Sequence, residues 1–114
     1  MINRVVIEGR LVADPEVKTS KSGKDYSKFN IAVNSYGDKA EYFTIMAWDK
    51  AVEPIAGASK GQVVVVDGRL QQNVWEDKDG NKRYDVQVAA YAISTHARSS
   101  KAAPKQADDD EIDF

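Results

Sequence analysis

From Arg4 to Leu11 apolar or small residues alternate with polar ones. Val5, Ile7, Gly9 and Leu11 fall on one side, and Arg4, Glu8 and Arg10 on the other. A period of two marks a half-buried strand. Asp14-Pro15 stops it, because proline brings no N–H to a ladder. A short run at 16–19 leads into Ser20-Lys21-Ser22-Gly23-Lys24, whose glycine suits a hairpin turn. The second long strand is expected at 26–36 with Phe29, Ile31 and Val33 buried. After Gly37-Asp38-Lys39-Ala40 a third follows at 41–48, with Phe43, Ile45 and Ala47 inward. Residues 49–59 are the one helix candidate, with Asp49 as its cap and Pro54 limiting it to a turn or two. The longest strand pattern spans 62–75, with Gly68 as a bend or bulge. Asp77-Lys78-Asp79-Gly80 then turns the chain into the last strand at 83–93.

Five main strands, short turns and one short helix between strands 3 and 4 describe an all-β domain. A small Greek-key barrel of the OB type fits this pattern, because such barrels commonly place a helix there. An SH3-like barrel or a partial sandwich shares the strand count, but neither is expected to put its helix at that point. The OB barrel binds oligonucleotides or oligosaccharides. The domain is expected at 1–96, a short flexible linker at 97–107 and a tip at 108–114.

Alternation also sorts the side chains left outside the core. Opposite Phe29, Ile31 and Val33 stand Tyr26, Lys28, Asn30, Asn34 and Tyr36. Opposite Phe43 and Ile45 stand Tyr42, Thr44, Met46 and Trp48. With Val64, Val66 and Leu70 in the core, Arg69, Gln71, Asn73 and Trp75 face out. Tyr36, Tyr42, Trp48 and Trp75 therefore lie on the polar side of their strands. Single-stranded nucleic acid suits that combination: bases stack on aromatic rings at about 1–3 kcal/mol each, and cations follow the phosphates. The same rings would equally suit a protein interface or the cover of a barrel end.

Charge changes the picture only after the chain is divided. The 114 residues carry a net −2, which argues against a nucleic-acid binder. Residues 1–107, however, hold 16 basic and 13 acidic groups, a net of +3, and the last seven hold −5. The body is mildly basic and the end is an acidic tail of the kind that is commonly a disordered interaction element. Arg4, Arg10, Lys28 and Arg69 are the cations expected along phosphates. Lys21 and Lys24, on the lysine-rich hairpin, read equally as phosphate contacts or as a solvated loop. There is no cysteine and one histidine, so thiolate metal sites and cysteine nucleophiles are excluded. No apolar run approaches the roughly 20 residues of a membrane span, and Met1-Ile2-Asn3-Arg4 opens no signal segment. A cytoplasmic, nucleoid-associated location follows as the expectation, or the host cytoplasm for a phage product.

The opening run, Met1-x-Asn3-Arg4-Val5-x-Ile7-x-Gly9-Arg10-Leu11-x-x-Asp14-Pro15-Glu16, resembles the start of the bacterial and phage single-stranded DNA-binding proteins of the replicative OB-fold family, and the resemblance extends along nearly the whole chain. It continues through Phe29-x-Ile31-Ala32-Val33, Trp48 before Asp49-Lys50-Ala51, Lys60-Gly61, Gly68-Arg69-Leu70, and Trp75 with Asp79-Gly80 and Tyr84. The end, Asp108-Asp109-Asp110-Glu111-Ile112-Asp113-Phe114, is similar to the family's acidic tip. The resemblance implies sequence-independent coating and protection of single-stranded DNA during replication, recombination and repair, with no enzymatic step and no cofactor. It puts base stacking on Tyr42, Trp48 and Trp75, and on Tyr36 by a looser alignment. It further implies a homotetramer, or a dimer, joined through first strands, and recruitment of replication and repair proteins by the tip. Pro54 in the helix, Asp113 for the usual proline and the short linker depart from the family pattern and suggest a phage or accessory version. The competing expectation is an OB adaptor or RNA-binding module with no role on single-stranded DNA.

Other constellations are weaker. Around Gly80 a calcium loop would need ligands at Trp75 and Val86, which cannot coordinate. Glu8, Asp14 and Glu16 form no evident acid–base pair, and His96 has no identifiable catalytic partner. No metal site is expected.

Overall fold

The computed structural model describes residues 1–35 and 37–96. Tyr36, the linker at 97–107 and the acidic tip at 108–114 lie outside the described residues, and so do the expectations placed on them. The strands are β1 (Val5–Leu11), β2 (Lys18–Thr19), β3 (Asp25–Asn34), β4 (Ala40–Trp48), β5 (Val63–Glu76) and β6 (Lys82–Thr95). A 3-10 helix, Asp49–Ile55, stands between β4 and β5.

The five long strands pair in the cyclic order β1-β3-β4-β6-β5-β1. All pairings are antiparallel except β4 with β6. This is the partly open Greek-key barrel of the OB type. Closure is uneven. β1 pairs with β5 from Val5 to Arg10 but with β3 only at Arg10 and Leu11. Upstream of the strand, Asn3 fastens the chain to β5: its amide donates to the Leu70 carbonyl at 3.0 Å and accepts from the Leu70 N–H at 2.9 Å. Asp14 accepts the Lys60 N–H at 2.7 Å and so ties the loop after β1 to the Lys60-Gly61 turn.

Two glycines permit close backbone crossings. A Cβ on Gly9 would stand 2.7 Å from the Ala32 carbonyl oxygen, and one on Gly68 would collide with the Ala89 carbonyl. At Gly68 the ladder slips: Asp67 faces Ala92 while Gly68 faces Ala90, leaving Tyr91 as the extra residue. That bulge reverses the alternation of β6, so Val88 and Ile93, of opposite parity, both enter the core.

The core holds Leu11, Phe29, Ile31, Ile45, Val64, Val66, Val88 and Ile93 inside the barrel. Ala51, Val52 and Ile55 join it from one face of the helix. That helix is shorter than the expected 49–59 segment. Asp49 does not cap it either: its φ is +54°, the extended residue before the helix is Trp48, and no side chain caps the first turn. Pro54 is accommodated in the last turn, where the tighter 3-10 pattern ends and Gly57, at φ +84°, redirects the chain.

Three residues expected in the core are more open. Val33 is half-buried, while Phe43 and Leu70 are exposed. All three have core-side parity, but they sit where their strands run past the barrel. β6 pairs in the ladder with β4 only at Val88 and Ala89, so the β5–β6 hairpin beyond Leu70 projects as an arm. Leu70, Val74, Tyr84 and Val86 remain exposed on it.

Candidate nucleic-acid interface

Cross-strand register decides which outward side chains share a surface, since directly paired residues point to the same face. Tyr42 pairs with Ala32, which pairs with Arg10 on β1. Two residues further along, Thr44 pairs with Asn30, and the threonine hydroxyl donates to the asparagine Oδ1 at 2.7 Å. Next, Lys28, Met46, Ala89 and Arg69 form one row across β3, β4, β6 and β5. Beyond it, Lys18, Tyr26 and Trp48 form a row across β2, β3 and β4. From Arg69 the same face continues along the arm through Gln71, Asn73 and Trp75, opposite Ala89, Gln87, Asp85 and Arg83.

The expected aromatics Tyr42, Trp48 and Trp75 therefore lie on one continuous outward face, 67%, 41% and 49% exposed. Lys28 and Arg69 stand among them, in one row. Trp48 leans on Tyr26, with ring centroids 4.9 Å apart and planes at 30°. Between Arg69 and Trp75 runs an amide ladder: Asn73 donates to Gln87 at 2.8 Å, and Gln87 donates to Gln71 at 3.3 Å. Gln87 is buried, so the ladder stiffens the root of the arm. Sequence reading missed the ladder, because the meeting of Gln87 with Gln71 and Asn73 depends on the register between two strands, which neither strand's own alternation contains.

The cations are not equivalent. Among the described residues the ion pairs are Arg4 with Asp67 and Arg83 with Asp77. Arg4 donates from two nitrogens to Asp67 at 2.8 and 3.1 Å, so much of its charge is already answered within the fold. Arg10 shares the Tyr42 row but donates to the Gly61 carbonyl at 3.1 Å. Lys28 and Arg69 make no ion pair among the described residues. Lys21 and Lys24 lie on the turn between β2 and β3, closed by Ser20 N–H to Lys24 O at 2.8 Å and Gly23 N–H to Ser20 O at 2.9 Å. They sit beyond the Lys18 row, on the exposed rim of the same hairpin.

At the tip of the arm, Asp77 organises the turn. It accepts from the N–H groups of Asn81 and Asp79 at 2.9 and 3.0 Å and from Arg83 at 2.8 Å. The Asn81 N–H in particular, with Arg83 and Asp79 adding to it, holds this carboxyl below the ordinary carboxylate range. No group of acidic residues and histidine capable of holding a metal ion occurs among the described residues. None of their helices is long and apolar enough to cross a membrane.

Comparison with known proteins adds the family. Residues 2–96 match the model of the single-strand binding protein family. The chain is 35% identical over 121 residues to a Staphylococcus aureus protein named single-stranded DNA-binding protein 1, spanning 100% of this chain and 74% of that relative. A second Staphylococcus aureus protein, named single-stranded DNA-binding protein, is 37% identical over 100 residues, covering 82% of this chain and 64% of the relative. An Oceanobacillus iheyensis protein of the same name is 36% identical over 100 residues, covering 82% and 62%. The chain thus spans somewhat under two thirds of the latter two.

Proposed function

The chain belongs to the single-strand binding protein family, and on that premise we propose that it binds single-stranded DNA without reading sequence. The observation that carries this is the single outward face on which Tyr42, Trp48 and Trp75 stand exposed around Lys28 and Arg69. Bases stack on the three rings, and the two cations neutralise phosphates between them. Tyr36 serves as a fourth ring by its place in the sequence. Arg10, Lys21 and Lys24 contribute further charge, and Arg4 contributes less because Asp67 already holds it. Stacking and neutralisation complete the role, so the protein binds and does not catalyse. It coats single strands during replication, recombination and repair, in the cytoplasm at the nucleoid.

Oligomerisation belongs to the same reading. From Val5 to Gly9 the edge of β1 turned away from β5 has no ladder partner among the described residues. A second copy adding its own first strand there would satisfy those groups and remove an edge prone to unspecific pairing. The reading is of a homotetramer, with a dimer as the smaller unit. The acidic tip, Asp108 to Phe114, recruits replication and repair proteins by pairing its carboxylates with a basic rim and inserting Phe114 into an apolar pocket.

Binding of labelled dT, rU and duplex oligomers across a salt series tests the proposal. The expected order is dT above duplex by a wide margin, because duplex bases are already stacked on each other. Log affinity for dT should fall with log salt by roughly 0.7 per phosphate neutralised. A preference for rU over dT would move the role to RNA, and failure to bind any of the three at any salt would favour an adaptor.

A further inference from the structure

Tyr26 occupies the outward face between two lysines. Lys18 is its direct partner on β2, and Lys28 follows two residues along β3. Its ring meets Trp48 at a tilt of 30°, yet Tyr26 is only half-buried and Trp48 keeps 41% exposure. Tyr26 also lines a cleft of about 470 Å³, walled by the Val12–Glu16 segment and by Lys18, Lys28, Phe29 and Asn30. That volume lies in the range of small-molecule sites. Neither lysine is ion-paired among the described residues. Of the two lining carboxylates, Asp14 is engaged by the Lys60 N–H. Glu16 repels phosphate, which directs a backbone to the lysine side. Asn30 has its oxygen occupied by Thr44, so its amide N–H groups remain to donate.

We infer that this cleft is a nucleotide subsite. One unstacked base lies against Tyr26, extending the Trp48 platform by a ring, with Lys18 and Lys28 on the flanking phosphates. The inference rests on the single-strand reading above and goes beyond it by giving Tyr26 and Lys18 direct contact with the strand. The competing role for Tyr26 is a prop that only holds Trp48 in place.

Photo-cross-linking of the full chain to dT oligomers carrying 5-iodouracil, followed by peptide mapping, separates the two. The subsite requires an adduct on Tyr26. Tyr26→Leu should weaken dT binding about 5- to 100-fold, and Tyr26→Phe should restore it. Lys18→Gln should lower the salt slope by about 0.7. Adducts confined to Trp48 and Trp75, with an unchanged slope in Lys18→Gln, would overturn the subsite even if Tyr26→Leu binds weakly. Should Tyr26→Leu fail to fold, the wild-type adduct and the Lys18→Gln slope still decide. A wild-type chain that does not bind dT at all would fail the parent reading, and that result is distinct from binding without a Tyr26 adduct.

Discussion

Ser27 is fully buried beneath the outward face, opposite Ala47, and its hydroxyl has no hydrogen-bond partner among the described residues. A buried hydroxyl left unpaired costs about 1–3 kcal/mol, whereas alanine fills nearly the same space without that cost. Ser27→Ala should therefore stabilise by about 1 kcal/mol, raising Tm by roughly 4–8 °C for a domain of this size. A fall in Tm on thermal unfolding would mean that the hydroxyl is satisfied after all. Alternation made the residue-scale reading possible on β3 and β4, where parity alone put Tyr42, Trp48 and Lys28 outside. It gave no warning that Asp67 would engage Arg4, since Asp67 lies 63 residues away in the chain. Tyr26 was visible as an outward residue, but its stack on Trp48 depends on the register between two strands, which one strand's sequence does not contain.

Elements were legible where local chemistry dictates them. All five long strands lie within two residues of their expected bounds, and Gly23 and Gly80 adopt the positive φ of their turns. The helix ends short of the expected 59 because Ala56 is already extended and Gly57, at φ +84°, redirects the chain, and the Asp49 cap signal is equally that of a residue tolerating φ +54°. The slip between Asp67 and Gly68 was foreshadowed by the glycine, but the extra residue falls on the other strand, at Tyr91. That displaced residue is why the burial of β6 could not be read by parity. At the far end of the same hairpin the turn should respond to pH. Asp77 has a folded pKa below its unfolded one, so it stabilises the turn above the ordinary carboxylate pKa. That contribution fades as pH falls through the lowered folded value. In an NMR titration the Asn81 amide should follow Asp77 with a midpoint below about pH 4, and Asp77→Asn should flatten the curve. A midpoint at or above the ordinary aspartate range would contradict this account of the turn.

For the whole molecule, overall charge is a poor guide. A net of −2 conceals a basic body, and within that body some cations are answered by carboxylates while Lys28 and Arg69, beside the rings, make no ion pair among the described residues. The barrel brings strands distant in sequence into one row: Lys28 and Arg69 share a surface because β4 and β6 pair in parallel at Met46 and Ala89. The long arm then carries Trp75 away from the barrel on the same face. Stacking by Trp48 and Trp75 is the central claim, and intrinsic tryptophan fluorescence reads it directly, since these are the chain's two tryptophans. Titration with oligo-dT at low and high salt, with duplex as control, should quench the emission strongly. Quenching should weaken as salt rises and be absent with duplex, and Trp48→Phe and Trp75→Phe should each retain part of the signal. Binding of dT with no quenching in the wild type would contradict the account, placing the strand on some other surface of the barrel.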